Sequence, residues 1–463
     1  MNKIKLKDYK FLIIILIISL IIRIKSLLTP HDLWWDSSVY IEMGKYLWSL
    51  GQVGIWEPNR PLIWSLLLGF FWKIKLDPIL FGRIMVLFFS IGIIYLTYFI
   101  SLKIFNKQTA IISSLLLSLF PTFIRFSNIL FSEIPSTFFL ILGIYYFFNK
   151  KYPLSGLILG IAFMTRFFQI FVIIPLLLVF FYYLIKKKVN IKQSIYFYCL
   201  FGLPTLIFLI INTILYKNPF EPIFIQAYMT RNTGWIFHQP ITFYFYNLFK
   251  QNILVLFGIV GIIPLILKKN LNKIIILVLF LFPFILYVLE RHKEMRLLIN
   301  LLPFMFMLVA LGINEFSNLF KKTKYLVLFL LIATWIATAT PLIMFDGYND
   351  GLDPFYNHIK NTKISEGIWI SNPSLIVYTD KKADELIYYP LYYSKKAKDL
   401  QSKVDKAKLV MFNTCDIIPC PDSDTTCPVE TAKLLNMLNA TMENILYQET
   451  GSCKYYIFES QDI

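Results

Sequence analysis

Charge is scarce in this 463-residue chain: Asp, Glu, Lys and Arg together make up 16% of it, whereas a soluble domain carries about a quarter. With 57% hydrophobic residues and a mean hydropathy of +0.62, that shortage excludes an ordinary soluble globular protein, and equally a disordered chain. Cysteine, at five residues, is too rare for a compact disulfide-rich scaffold, and 18 glycines are too few for collagen. Only four histidines occur, and none stands at metal-ligand spacing from another, so His238 and His292 read as interfacial residues rather than ligands. P-loop, GxGxxG, HExxH and GxSxG motifs are all absent, which removes support for a glycine-loop phosphate cradle and for nucleophilic hydrolysis.

What fills the chain instead is apolar runs recurring from Phe11 to Ile343. Read with their charged or Pro/Gly breaks, they predict about eleven spans, near residues 10–28, 78–102, 108–124, 130–148, 153–165, 167–185, 193–215, 251–267, 274–289, 297–313 and 325–342. The run after the Lys-rich start is long and lacks a small-residue cleavage site, so it reads as a retained first span. This is the pattern of a polytopic α-helical membrane protein.

The formal charge of +17 is mostly topological. Tight turns sharing a side with the N-terminus (Lys3 to Lys10, Lys103 to Lys107, Asn149 to Lys151, Lys186 to Lys192, Lys268 to Lys273, Glu315 to Lys324) hold 18 Lys, no Arg and two acids. Such a bias marks the cytoplasmic face, and a nucleic-acid partner is not implied. The odd span count then puts residues 344–463 outside the cell, with plasma membrane as the expected location. In that polar tail short strands are expected at 368–371, 375–379, 409–413 and 454–459, with a helix at 429–446, giving a small extracytoplasmic α/β domain. Cys415, Cys420, Cys427 and Cys453 all fall there and predict two disulfides with three possible pairings. The same tail carries the sequon Asn439-Ala440-Thr441.

Against 37 lysines there are eight arginines, and all eight (Arg23, Arg60, Arg83, Arg125, Arg166, Arg231, Arg291, Arg296) fall on the predicted outer side of residues 1–343. Arginine is the planar, bidentate partner for phosphate. The first outer loop, residues 29–77, is rich in Trp; within it Ser37 to Leu50 reads as an amphipathic interfacial helix capped by Asp36, and Pro61 to Ile74 as a second. Asp36 and Glu133 are the acids that stand out, each at the outer edge of a span beside apolar rings, where an ionised carboxylate needs a partner; Asp32 and Glu42 are weaker candidates.

Five ordered pieces resemble the integral-membrane (GT-C) glycosyltransferases of the dolichyl-phosphate-mannose protein mannosyltransferase and lipid A aminoarabinose transferase group. Trp34-Trp35-Asp36-Ser37-Ser38-Val39-Tyr40 is similar to that group's first acidic motif, Asn59-Arg60-Pro61-Leu62 to its basic-Pro motif, and Leu130-Phe131-Ser132-Glu133 to its second acidic motif. Gly160 to Arg166 and Arg296 to Pro303 resemble two later signatures. The resemblance implies a polyprenyl-monophosphate sugar donor, an outer-face active site and inversion at the anomeric carbon, with the acceptor a protein, glycan or lipid. It implies Asp36 as general base, with Arg60 on the donor phosphate; Arg166, Arg291 and Arg296 are further candidates for that phosphate, and Glu133 for a catalytic acid group. Many members carry Asp-Glu where this chain has Asp36-Ser37, so a second acid's role is absent here or passes to Glu133. Oligosaccharyltransferase relatives carry Trp-Trp-Asp in their C-terminal domain, whereas Trp34-Trp35-Asp36 lies in the first loop. No metal is required by this chemistry, although Asp36 with Glu133 are groups able to hold a divalent ion. The alternative class is a flippase or transporter of lipid-linked sugars, which would bind the same phosphate without needing Asp36 as a base.

Overall fold

The computed structural model describes residues 9–29, 32–232, 237–268, 270–343, 353–387, 392–417, 420, 424–450 and 453–460. Most of Lys3 to Lys10, the expected domain boundary at 343/344 and the side chain of Arg231 lie outside the described residues.

The membrane part is helical throughout. Helix α1 (Lys10–Leu28) is followed by α2 (Trp35–Trp48) and α3 (Leu62–Lys73), then the long α4 (Pro78–Ile104), α5 (Lys107–Ser118) and α6 (Pro121–Phe126). After α7 (Glu133–Phe148) and α8 (Tyr152–Thr165) come α9 (Ile170–Ile185), α10 (Ile191–Tyr216), α11 (Glu221–Asn232) and α12 (Phe243–Gln251). The set closes with α13 (Phe257–Lys268), α14 (Leu271–Leu289), α15 (Leu302–Asn318) and α16 (Lys324–Ala339). Asp and Asn start several of them: the Asp77 side chain accepts from Ile79 N ahead of Pro78, Asn106 from Thr109 N, and Asn190 with Gln193 forms a capping box on α10. Pro175, Pro204, Pro264 and Pro283 lie inside helices, as a membrane bundle tolerates.

Six of the eleven expected spans are helices long and apolar enough to cross a membrane: Lys10–Leu28, Pro78–Ile104, Phe167–Ile185, Ile191–Tyr216, Leu271–Leu289 and Lys324–Leu342. Four others are shorter apolar helices, and residues 108–124 are broken in two because Pro121 starts a new helix rather than continuing α5. Close crossings hold the bundle. A Cβ on Gly261 would stand 2.0 Å from Leu308 O, and one on Gly312 1.8 Å from Phe257 O, so α13 and α15 touch backbone to backbone.

Helix α2 departs from expectation. It begins at Trp35, so Asp36 lies inside the first turn and makes no cap hydrogen bond. It is not an exposed surface helix either: every residue from Ser37 to Lys45 is buried. One flank crosses α3 at Gly44 and Gly69, where a Cβ on Gly69 would sit 2.3 Å from Gly44 O. The other carries the C-terminal domain: Ser38 Oγ is 2.8 Å from Ser374 Oγ, and Lys45 Nζ donates to Val377 O and Thr379 O, both at 2.7 Å.

That domain is a five-stranded mixed sheet, β1 (Ile368–Ile370), β2 (Glu385–Leu386), β3 (Leu409–Asn413), β4 (Met442–Thr450) and β5 (Cys453–Ser460), in the order β2-β1-β3-β5-β4. The expected strand at 375–379 is instead a 3-10 turn, Pro373–Ile376: Pro373 has no N–H for a ladder, and Asn372 caps the turn through Ser374 N. The expected helix at 429–446 is Cys427–Thr441, and Met442 turns extended to open β4, which pairs antiparallel with β5. Disulfides join Cys415 to Cys453 and Cys420 to Cys427.

Beside Lys45, fully buried Glu42 has its Oε1 3.1 Å from Nζ. Burial pushes its carboxyl from 4.5 up to about 7, against the pull of Lys45. The folded protein therefore favours the protonated acid, and the stability this contributes is complete below pH 4.5 and lost as pH rises through about 7. Stability against thermal unfolding is expected to fall between pH 5 and 8 by on the order of 3 kcal/mol more in the wild type than in Glu42→Gln. Equal pH slopes in the two proteins would refute this.

Candidate active site

Five chain segments end at one place. Asp36 stands in the first turn of α2, Arg60 just before α3, Glu133 at the first position of α7, and Arg166 at the end of α8. Arg296 lies in the 3-10 segment Met295–Asn300 that leads into α15 and packs against α7. These are helix ends, where the chain turns and where backbone dipoles favour acids at N-termini.

The side chains form one ion cluster. Arg60 NH2 donates to Asp36 Oδ1 at 2.8 Å while its Nε bonds Glu57; Arg296 NH1 bonds Asp36 Oδ2. Arg296 also donates from NH2 to Glu294 Oε1 at 2.9 Å, and its Nε stands in ion-pair contact 2.8 Å from Oε2. Arg166 NH1 is 3.1 Å from Glu133 Oε1, and Arg296 Nε is 3.6 Å from the same oxygen. Each guanidinium rests over a ring: Arg60 on Tyr40 at 5.0 Å, Arg166 on Phe168 at 5.4 Å, Arg296 on Phe131 at 4.9 Å. Ser132 ties the pieces together, its Oγ 2.9 Å from Tyr40 Oη and accepting from Arg166 NH1 at 3.1 Å.

Behind the cluster, Asn300 Nδ2 donates to Gln169 Oε1 (3.1 Å) and Tyr287 Oη (3.0 Å), and Gln169 Nε2 donates to Ser136 Oγ (2.7 Å). This buried chain locks the segments carrying Arg296, Arg166 and Glu133 to one another.

Exposure separates the acids. Asp36 and Glu294 each keep 21% of the side chain accessible, whereas Glu133 keeps 3% and Glu57 none. The arginines keep 13–18%. A ligand can therefore reach Asp36 and the arginines, while Glu133 and Glu57 serve as anchors behind them. Burial by itself would raise the Asp36 carboxyl, but Arg60 and Arg296 outweigh it and hold the group well below the usual carboxylate range. Both arginines are correspondingly held above their ordinary value, despite burial.

Of the residues singled out in the sequence, Asp36, Arg60, Glu133, Arg166 and Arg296 come together. Arg291 does not: its side chain is exposed, and its backbone pairs with Gln239, because five residues of extended and 3-10 chain turn it away from Arg296. Arg23 leaves the outer edge for the bundle interior, donating to Ser90 Oγ, Ser19 and Ser118 O. Glu42 sits nearer the far end of α2 with Lys45. His238 and His292 meet in a single β-bridge, and His292 Nε2 is 2.9 Å from Glu294 Oε1. Among the described residues no three His, Cys, Asp or Glu side chains come together as a metal site. Glu57 and Glu294 were not foreseen; their signal is an acid three or two positions before an outer-side arginine.

The helical bundle with a helix-end ion cluster and a small C-terminal sheet domain is the architecture of the GT-C integral-membrane glycosyltransferases. Residues 10–364 match the model of the Alg9-like mannosyltransferase family, and the chain belongs to that family. It is thus a glycosyltransferase and a multi-pass membrane protein. Among solved structures it is similar to ArnT from Cupriavidus metallidurans bound to undecaprenyl phosphate, at 9% identity over 97% of this chain and 98% of that one, with a TM-score of 0.65. It is also similar to the Archaeoglobus fulgidus oligosaccharyltransferase in the apo form, at 12% identity over 88% and 70% of the two chains, with a TM-score of 0.59. The same oligosaccharyltransferase tethered to an acceptor peptide containing the NVT sequon matches at 11% identity over 98% and 74%, with a TM-score of 0.61. At these identities the likeness is one of fold. No curated protein matches the chain.

Proposed function

We propose that the protein moves a sugar from a polyprenyl-monophosphate donor to an acceptor hydroxyl at the outer face of the plasma membrane, with inversion and with Asp36 as general base. The observation that carries this reading is a reachable carboxylate held between two arginines, Arg60 and Arg296, at converging helix ends. The acceptor oxygen bonds to the anomeric carbon, the bond from that carbon to the phosphate oxygen breaks, and Asp36 takes the hydroxyl proton. Polyprenyl phosphate leaves with one more negative charge than it had in the diester, and the guanidinium groups stabilise that charge. ArnT bound to undecaprenyl phosphate supports such a lipid here.

The cluster contains four acids and three arginines, so no guanidinium waits unpaired for a phosphate. An incoming phosphodiester has to share Arg60 and Arg296 with Asp36. Drawing them toward the phosphate loosens the hold on Asp36 and makes it a better proton acceptor when the donor is in place. Glu57, Glu133 and Glu294 keep the guanidinium groups oriented during that exchange. The lysine-rich turns on one side and the disulfides in the tail support a cytoplasmic N-terminus and an external C-terminal domain.

The test is release of free polyprenyl phosphate by the purified protein in lipid, supplied with a panel of polyprenyl-phosphate sugars and outer-surface acceptors. Acceptor-dependent release is expected with at least one donor. Tight donor binding without release under every acceptor would refute transfer.

A further inference from the structure

His292 adds a titratable member to the ion cluster. Glu294 Oε1 accepts from Arg296 NH2 at 2.9 Å and also lies 2.9 Å from His292 Nε2, so one carboxylate oxygen is shared between a permanent cation and an imidazole. Arg296 in turn bonds Asp36 through NH1. His292, Glu294, Arg296 and Asp36 thus form an unbroken chain of contacts. With 25% of its side chain accessible, His292 exchanges protons with solvent.

The other groups around the imidazole are accounted for. The Phe237 ring stands 4.8 Å away between centroids, and exposed His238 lies across the β-bridge. On the same segment Lys293 donates to Gln239 O and Glu290 O, Glu290 accepts from Arg291 N, and the Arg291 side chain is exposed. From α12 the Tyr244 phenol interacts with Glu294 and Glu290, and burial keeps it protonated.

Charge gives His292 a task. Asp36, Glu57, Glu133 and Glu294 against Arg60, Arg166 and Arg296 leave one negative charge in excess. An entering phosphodiester adds another, while every guanidinium is already committed to a carboxylate. A compensating proton does not go readily to the acids: burial would raise Asp36 and Glu294, but Arg60 and Arg296 hold the first below its ordinary value, and His292 and Arg296 the second. Imidazole is the side chain that ordinarily changes charge between about pH 5 and 8.

We propose that His292 is a positioning residue that takes up a proton from solvent as the donor's phosphodiester binds, drawing Glu294 toward itself and releasing Arg296 to the phosphate. This rests on the polyprenyl-phosphate reading above. Binding and protonation favour each other by the same factor, so donor affinity falls as pH rises through the imidazole range.

The experiment measures binding of a polyprenyl methyl phosphate, a phosphodiester whose single charge is constant over the pH range used, to the full-length protein in nanodiscs of zwitterionic lipid. Wild-type affinity is expected to be about tenfold higher at pH 5.5 than at pH 8, the scale of one charge added near a partly exposed site. His292→Gln is expected to bind at both pH values as the wild type does at pH 8, and His238→Gln to keep the full pH dependence. Glu42 titrates in the same window but is intact in all three proteins, so it does not enter their differences. Calorimetry in buffers of different ionisation enthalpy gives a reading that needs no variant: the wild type is expected to take up a fraction of a proton per phosphodiester bound near pH 7. Affinity that is flat with pH, pH dependence that persists undiminished in His292→Gln, or binding near pH 7 without proton uptake overturns the proposal and leaves the polyprenyl-phosphate reading standing. Failure to bind the phosphodiester at any pH takes down both.

Discussion

Replacement of Asp36 by Asn is expected to lower the rate of polyprenyl phosphate release by about 10²- to 10⁴-fold, the usual contribution of a general base. The substitution keeps the side chain's size and one acceptor oxygen but removes its ability to take a proton. The fold should persist, because no arginine is stranded: Arg60 retains Glu57, and Arg296 retains Glu294 and Glu133. Donor affinity is expected to hold or increase, since the carboxylate that competes with the phosphate for both guanidinium groups has gone. Slow turnover with undiminished donor binding separates loss of a base from loss of a binding group. An Asp36→Asn protein that turns over at the wild-type rate would dispose of the assignment.

Arg296→Ala is expected to reduce turnover by about 10²- to 10³-fold, comparable to removing one donor from a site that stabilises developing negative charge. Lysine should rescue little, because the guanidinium reaches Asp36 with one nitrogen while pairing with Glu294 through two others. The pH profile gives the second signature. Arg296 and Arg60 together hold the Asp36 carboxyl below its ordinary value against a burial that would raise it. Removing Arg296 therefore raises it, and the acid limb of kcat/KM is expected to move to higher pH. A limb that stays in place, or moves to lower pH, would show that Asp36 is not the group being titrated. Arg291→Ala, exposed and outside the cluster, is expected to leave both rate and profile near wild type.

The helical membrane architecture was legible because hydrocarbon thickness writes itself into local sequence as long apolar runs. Within the site, Asp36, Arg60, Glu133, Arg166 and Arg296 could be picked out because each is a charge at the edge of an apolar helix and the three arginines fall on the predicted outer side. What could not be read was anything decided by distant chain. Helix α2 has polar residues on all sides, as a surface helix would, and becomes buried because α3 packs on one flank and the turn Pro373–Ile376 covers the other. The choice between Arg291 and Arg296 depended on the path of a non-helical segment, and the choice among three disulfide pairings on the pairing of β5 with β3, which brings Cys453 beside Cys415. Glu57 and Glu294 were in plain view but indistinguishable from solvated charges.

The contact between Ser38 and Ser374 spans 336 residues and has a consequence for how the molecule is made. The helix bearing Asp36 emerges from the ribosome early, yet the partner that closes over its flank is synthesised near the end. Until that last portion has been made and folded, α2 lacks Lys45's acceptors at Val377 and Thr379 and part of its cover. Completion of synthesis is therefore expected to precede the final burial of the helix that carries Asp36.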